Sequence, residues 1–81
     1  MTNQESTLNV YPNPANDMLT ISIEEKTLTN AIVTFYNVLG ENVHGVNATS
    51  PAIDISMLKP GVYLMEVIVD GERIVKRVVK E

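Results

Sequence analysis

The sequence of 81 residues contains no cysteine, no tryptophan, one histidine and four other aromatic side chains. The lack of cysteine excludes disulfides, thiol nucleophiles and cysteine-ligated metal sites. A single histidine, His44, excludes a metal site built from several imidazoles. No apolar run approaches the ~20 residues that a membrane-spanning helix needs, so the sequence predicts a chain that does not cross a membrane.

The short chain leaves little room for a catalytic centre. A sequence of 81 residues forms one domain at most, and such a domain buries only ~60–65% of the surface that its unfolded chain exposes. Most aliphatic side chains must therefore fill the core, which leaves no deep substrate cavity. No glycine-rich phosphate-binding loop is present either. We expect a protein that is not an enzyme and holds no cofactor.

A Ser–His–Asp triad could be assembled on paper from Ser56, His44 and Asp54. Nothing in the sequence indicates that these three residues come together in the fold. The Gly-x-Ser-x-Gly segment that exposes a nucleophilic serine in hydrolases is also absent. We therefore predict no catalytic residues.

The net charge of −4 is unevenly distributed. Residues 1–72 carry nine acids and two bases (−7), whereas residues 73–81 carry four bases and one acid (+3). An acidic body disfavours nucleic acid as a partner, because nucleic-acid binding needs a broad basic surface. The basic end is typical of an edge strand protected from aggregation by lysine and arginine, or of a docking surface.

The hydrophobic pattern predicts short strands separated by turns. Leu19, Ile21 and Ile23 alternate with polar residues, as in a strand with one buried face. The dipeptide Asp70-Gly71 between two β-rich runs predicts a two-residue hairpin. Residues 31–38 are apolar on both faces, as expected for a central strand of a sandwich.

In total we count seven short strands with turn signals every ~8–12 residues, the spacing typical of an antiparallel β-sandwich. A helical turn between Ile53 and Leu58 is an alternative for that short segment.

The loop 12–17 has two prolines, which predict a rigid turn. Asn13, Asn16 and Asp17 could offer oxygens to Ca²⁺, but a single carboxylate is too few for that ion. Turn formation explains these residues better, so we predict no metal site.

Four segments, in this order and at this spacing, resemble the type A C-terminal sorting domains of proteins that Bacteroidetes export through the type IX secretion system. They are Val10-Tyr11-Pro12-Asn13-Pro14, Tyr36-Asn37-Val38-Leu39-Gly40-Glu41, Leu58-Lys59-Pro60-Gly61-Val62-Tyr63 and Lys76-Arg77-Val78-Val79-Lys80. The resemblance covers residues 8–81. Each segment alone is weak evidence, but the ordered set is specific.

The resemblance implies an all-β, immunoglobulin-like antiparallel sandwich of about seven short strands at the end of a larger secreted protein. Residues 1–7 would be a flexible lead-in from the covalently linked N-terminal cargo, and residues 8–81 the sorting domain. Its partners would be the type IX translocon and outer-membrane shuttle proteins, followed by a sortase-like cysteine protease that removes the domain. We expect a monomer that passes through the periplasm to the outer-membrane surface or the extracellular space.

The resemblance also implies which residues partners recognise. They are Pro12, Asn13, Pro14, Gly40, Glu41, Pro60, Gly61, Tyr63, Lys76, Arg77 and Lys80. Pro60 departs from the common pattern, since many members have another small residue between the proline and the glycine. Backbone geometry explains the turn prolines and glycines better than contact with a partner does.

The two terminal lysines suggest how a partner would recognise the last strand. Lys76 and Lys80 are four apart on a strand, so they share one face ~13 Å apart. With Ile74 and Val78 on the same face, they predict an exposed surface that is half apolar and half cationic. An open edge strand could also be bound by addition of a partner's strand.

An adhesive or carbohydrate-binding immunoglobulin-like domain of a bacterial surface protein is the alternative function. It requires an exposed aromatic platform on which sugars stack. The four aromatics available for it are Tyr11, Phe35, Tyr36 and Tyr63.

Overall fold

The computed structural model describes residues 8–23 and 30–81, and within these ranges the chain consists of strands and turns with no helix. The predicted lead-in at residues 1–7 lies outside the described residues. The seven strands are β1 Leu8–Tyr11, β2 Met18–Ile23, β3 Ala31–Tyr36, β4 Asn42–Ala48, β5 Ala52–Asp54, β6 Gly61–Val69 and β7 Glu72–Lys80. The predicted all-β fold of seven short strands is confirmed. Across the described part of the chain no helix offers the length and hydropathy for a membrane span.

The strands form two antiparallel sheets packed face to face. Three strands have the order β1-β2-β5, and four have the order β4-β3-β6-β7. The side chains at the core positions alternate along each strand, as two facing sheets require. The buried aliphatic and aromatic residues that fill the space between the sheets include Leu19, Ile21, Ile23, Val33, Phe35, Ile53, Ile55, Met65, Val67 and Val78.

Strand β3 has the predicted central position. It lies inside its sheet, between β4 and β6. Val33 and Phe35 point into the core, whereas Ile32 is 51% exposed on the outer face. Two layers give each sheet a single covered face, and no third layer exists among the described residues, so the apolar outer face of β3 is not buried.

The segment after β5 forms a turn. Ile55 is buried beyond the end of the strand, and its carbonyl accepts a hydrogen bond of 3.0 Å from the Leu58 backbone N–H. This contact closes a tight turn over residues 55–58, so the helical alternative is not adopted.

The hairpin at Asp70-Gly71 is confirmed. Both residues have positive φ, 54° and 77°, as a type I′ turn requires. From this turn β6 and β7 pair in register over nine residues each, ending with Gly61 opposite Lys80. Since the pair flanking a two-residue turn is hydrogen-bonded, alternate residues of β7 from Arg73 to Val79 direct their backbone groups away from β6.

The alternating strand directions separate the loops into two groups. Loops 12–17, 37–41 and 55–60 lie at one end of the sandwich with the C-terminal residue Glu81, and we call this the motif end. The Asp70-Gly71 turn lies at the opposite end, and the four-residue β1, with which the described chain begins, runs toward the motif end.

Replacing Phe35 by alanine tests the core assignment. The ring is fully buried, so we expect Phe35→Ala to lower the free energy of unfolding by about 3–5 kcal/mol. Ile32→Ala, on the outer face of the same strand, should cost less than about 1 kcal/mol. Urea denaturation of both variants measures the difference, and equal losses would contradict the assigned orientation of β3.

Candidate functional site

The predicted recognition segments meet at the motif end. Gly61 begins β6 directly opposite Lys80, and Tyr36, at the end of β3, pairs with Leu64 in the same region of the sheet. Loop 12–17 joins them through Ala15, which forms an isolated parallel bridge with Lys80. Segments separated by more than sixty residues in sequence therefore form one surface.

Loop 12–17 fastens the last part of β7. The side-chain amide of Asn13 donates to the Arg77 carbonyl (3.2 Å), and its oxygen accepts from the Val79 backbone N–H (3.0 Å). Ala15 adds two backbone bonds of 2.8 Å each, from its own N–H to the Val79 carbonyl and from the Glu81 N–H to its carbonyl. These are outward-facing groups of an edge strand, so the loop covers the end of that edge. We call these four bonds the Asn13 clamp.

The prolines on either side of Asn13 are exposed. The peptide bonds before both Pro12 and Pro14 are cis. The predicted turn is present at residues 12–17, and four hydrogen bonds join it to β7. The amide of Asn13 is bonded at both its oxygen and its nitrogen, which accounts for this residue without a metal ion.

Lys80 corrects the prediction of an exposed lysine pair. Its side chain is only 7% exposed, and its ammonium lies 3.5 Å from Asp17 Oδ1. Val78, two residues earlier, is fully buried, so the shared face of Lys76 and Lys80 is the inward face of β7. Lys76 itself is exposed, as is Arg77 on the outer face. The exposed half-apolar, half-cationic surface expected on this face is therefore not formed.

The β3–β4 turn is built around Asn37, a residue that the sequence analysis did not single out. Its Oδ1 accepts from the backbone N–H groups of Leu39 (3.0 Å) and Glu41 (2.9 Å). Its side-chain nitrogen donates to Glu41 Oε1 (2.8 Å). Gly40 has a φ of 85°, a left-handed conformation that glycine adopts without strain. An asparagine three residues before a glycine was the signal for this turn.

Tyr63 also stabilises the fold at the motif end. The ring is buried, and the hydroxyl donates to the carbonyl of Lys59 (2.5 Å). This bond ties the start of β6 to the loop before it and holds Pro60 at the surface. Tyr63 and Gly61 therefore shape the motif end more than they offer groups to a partner.

Two shallow depressions lie on either side of Asn37 and Tyr63. One has a volume of about 290 Å³ and is lined by Asn37, Val38, Gly40, Val62, Tyr63 and Leu64. The other has a volume of about 300 Å³ and is lined by Asn37, Val43, Met57, Leu58, Lys59 and Tyr63. Neither contains a carboxylate or an imidazole, so their chemistry suits apolar contact.

The residues considered for a triad are differently arranged. The backbone N–H of Ser56 donates to Asp54 Oδ1 (2.9 Å), and this bond lowers the pKa of the carboxyl below its usual value, helped by a second bond from the serine side chain. The ring of His44 stacks on Phe35 with 5.8 Å between centroids. The serine is thus bonded to the aspartate and not to the imidazole. Among residues 8–23 and 30–81, no three potential metal ligands cluster.

Substitution of Asn13 tests the Asn13 clamp. Asn13→Ala removes two side-chain bonds worth about 0.5–1.5 kcal/mol each, so we expect the Val79 amide proton to exchange at least about fivefold faster. Asn13→Asp keeps the acceptor for Val79 but loses the donor to Arg77, and should give an intermediate rate. Asn9→Ala, exposed in β1, is the control. Unchanged exchange at Val79 in Asn13→Ala, measured by NMR, would contradict the clamp.

Comparison with known proteins gives matches of three kinds. Residues 9–81 match the family described as the secretion system C-terminal sorting domain. A curated relative, the endo-acting ulvan lyase of Formosa agariphila, is 38% identical over 64 residues, which cover 75% of this chain and 12% of the lyase. The chain thus spans about an eighth of that relative.

A solved structure shows the same fold. It comes from work on PorZ, described as an essential bacterial surface component of the type IX secretion system of Porphyromonas gingivalis. The match has a TM-score of 0.66 and 17% identity, and covers 91% of this chain and 11% of that one. Together with the two-sheet topology, this likeness confirms the predicted sandwich. The match over residues 9–81 confirms the resemblance seen in the motifs: the chain belongs to the secretion system C-terminal sorting domain family.

Proposed function

We propose that this chain is the C-terminal sorting signal of a larger exported protein and directs that protein through the type IX secretion system across the outer membrane. In this proposal residues 8–81 are the sorting domain, and residues 1–7 lead in from the cargo. The observation that carries it is the gathering of the four family segments at the motif end.

The residues proposed for recognition fall into two groups. The Asn13 amide, Gly40, Gly61, Tyr63 and Lys80 form internal contacts or turn geometry. The remaining members, Pro12, Pro14, Glu41, Pro60, Lys76 and Arg77, are exposed, and the Glu41 carboxylate also accepts from Asn37. We propose that the secretion machinery contacts the second group, while the first gives the surface its shape.

The upstream cargo and the later fate of the domain belong to the same proposal. The similar segment of the ulvan lyase occupies only 12% of that protein, which supports a sorting domain joined to a much larger functional part. We propose removal by a sortase-like cysteine protease after export. The chain would act in the periplasm during transit and finish at the cell surface or outside it.

The burial of most aromatic rings favours the sorting function over sugar binding. Phe35 and Tyr63 are buried, and the hydroxyl of the half-buried Tyr36 donates to Glu66 Oε1 (3.4 Å). Tyr11 is the only mostly exposed aromatic among the four. A platform for stacking a sugar chain needs several exposed rings, so the adhesive alternative has little support.

Export of a reporter tests this function. We expect a reporter fused ahead of residues 1–81 to leave a Bacteroidetes host that has the type IX system, and to remain in the periplasm of a mutant without it. Removing residues 77–81 deletes the clamped end of β7, so export should be lost. Equal secretion by the mutant host would contradict the proposal.

A variant that preserves the fold separates recognition from folding. Lys76→Gln with Arg77→Gln removes two exposed charges and leaves the backbone partners of Asn13 in place. We expect a several-fold fall in exported reporter with an unchanged unfolding midpoint. Wild-type export of this variant would show that the machinery does not contact these two side chains.

A further inference from the structure

The solvent-facing side of the four-stranded sheet is largely aliphatic. Alternation along each strand and the pairing register place six such residues there: Ile32 of β3, Val62, Leu64 and Ile68 of β6, and Val75 and Val79 of β7. Ile32, Leu64 and Val75 are 51%, 48% and 42% exposed. The solvated side of an antiparallel sheet is usually polar. We call this side of the β4-β3-β6-β7 sheet the outer face.

The three-stranded sheet provides a comparison within the same molecule. Apart from Tyr11, Met18 is the only large apolar residue among the outward residues of its strands, which are Asn9, Tyr11, Met18, Thr20, Ser22, Ala52 and Asp54. The preference of strands for β-branched residues applies to both sheets, so it does not explain why only one of them is aliphatic on its outside. An apolar area concentrated on one side of a domain is typical of a contact surface.

Three charged side chains lie on the outer face, those of Glu66, Arg73 and Arg77. The Glu66 carboxylate accepts from the Arg73 guanidinium and from the Tyr36 hydroxyl, and the Glu66 side chain is only 12% exposed. No carboxylate in the described part of the chain pairs with the exposed Arg77. Two arginines and one glutamate give the outer face a net charge of +1, and Arg77 supplies it.

The carboxylates around the outer face lie too far away to neutralise Arg77. Glu41 is in the β3–β4 turn, and β3 is two strand spacings, about 10 Å, from β7. Asp70 is in the hairpin turn, about 17 Å along the strand from Arg77. Both distances exceed the ~8 Å Debye length at physiological ionic strength. Glu72 and Lys76 alternate with the outward residues of β7 and point to the other side of the sheet.

This charge disfavours two possible occupants of the outer face. A second copy of the chain would bring +1 against +1, and its Glu66 carboxylate, already bonded to Arg73, would not neutralise Arg77. An anionic membrane would repel a chain of net charge −4, and it would bring the Glu66–Arg73 ion pair toward hydrocarbon, where charges are costly. A protein surface with aliphatic side chains and a carboxylate complements both the apolar area and Arg77.

The size of the outer face indicates a weak contact. Its four strands and the segment from Val62 to Ile68 span roughly 14 Å by 20 Å. A stable complex buries ~800 Å² of each partner, which is more than a face of these dimensions offers by itself. In the proposed sorting function a weak contact suffices, because the chain meets the machinery only in transit.

We propose that the outer face docks on a component of the secretion machinery whose surface presents aliphatic side chains and a carboxylate that pairs with Arg77. The inference rests on the proposed sorting function and adds the contact face and the chemistry of the partner. Arginine suits this position because its planar guanidinium binds a carboxylate through two parallel hydrogen bonds. The Glu66–Arg73 pair is satisfied within the chain, so covering it requires no further ion from the partner.

The apolar part of the contact is tested with the reporter fused ahead of residues 1–81. Ile32→Thr with Leu64→Thr should lower export at least about tenfold, because it removes two aliphatic contacts, while threonine keeps the branched shape that strands favour. The matched control is Met18→Thr with Met57→Thr, whose native side chains are 48% and 52% exposed and lie outside the outer face. The control should export within about twofold of wild type, and both double variants should unfold at the wild-type temperature.

The ionic part is tested by two charge reversals on the same strand. Arg77→Glu changes the outer face, whereas Lys76→Glu makes the same change in charge on the opposite side of β7. We expect Arg77→Glu to lower export at least about fivefold more than Lys76→Glu, because only Arg77→Glu sets a carboxylate against that of the partner. Equal losses in the two variants would overturn the pairing of Arg77, whatever the stability of the threonine variants.

The outcomes separate this inference from the sorting function. Wild-type export by the Ile32/Leu64 variant overturns the outer face as a contact and leaves the sorting function standing. Failure of the unmodified fusion to be exported overturns both. Binding of the purified chain to phosphatidylglycerol vesicles that is lost in the variant would replace the protein partner by a membrane. A dimer in sedimentation analysis that is lost in the variant would replace it by a second copy.

Discussion

The pairing register of β6 and β7 is the constraint on which the rest of the structure depends. The Asp70-Gly71 turn sets it, because both residues take positive φ and connect the strands without an extra residue. Counting from that turn, Val78 falls opposite Tyr63 on the core side. The backbone groups of Arg77 and Val79 then face outward, where the Asn13 clamp binds them. A slip of one residue would reverse every one of these positions.

Many of the motif residues form internal contacts that order the motif end. Asn13 holds β7, Asn37 and Gly40 hold the β3–β4 turn, and Tyr63 holds the loop before β6. The segments that identify the family are thus in large part the segments that order its motif end. In the proposed sorting function a partner would bind a folded surface, and short peptides copied from single motifs would lack its geometry.

Local pattern predicted most of the fold, and long-range register decided the rest. Alternation located the strands, and Asp-Gly located the hairpin, because both signals depend on neighbouring residues. Burial of Lys80 depends on its position opposite Gly61 and on Asp17, which lies 63 residues away. Counting pairs back from the hairpin would have placed Lys80 on the core side. The bonds of Asn13 to β7 had no comparable signal, since nothing local to residue 13 indicates which strand it meets.

The length of the β6–β7 hairpin has a consequence for the two ends of the domain. Nine-residue strands separate the Asp70-Gly71 turn from the motif end by about 27 Å. That distance is about three Debye lengths at physiological ionic strength. The electrostatic potential of a charge bound near the Asp70-Gly71 turn is therefore largely screened before it reaches Glu41 or Asp54.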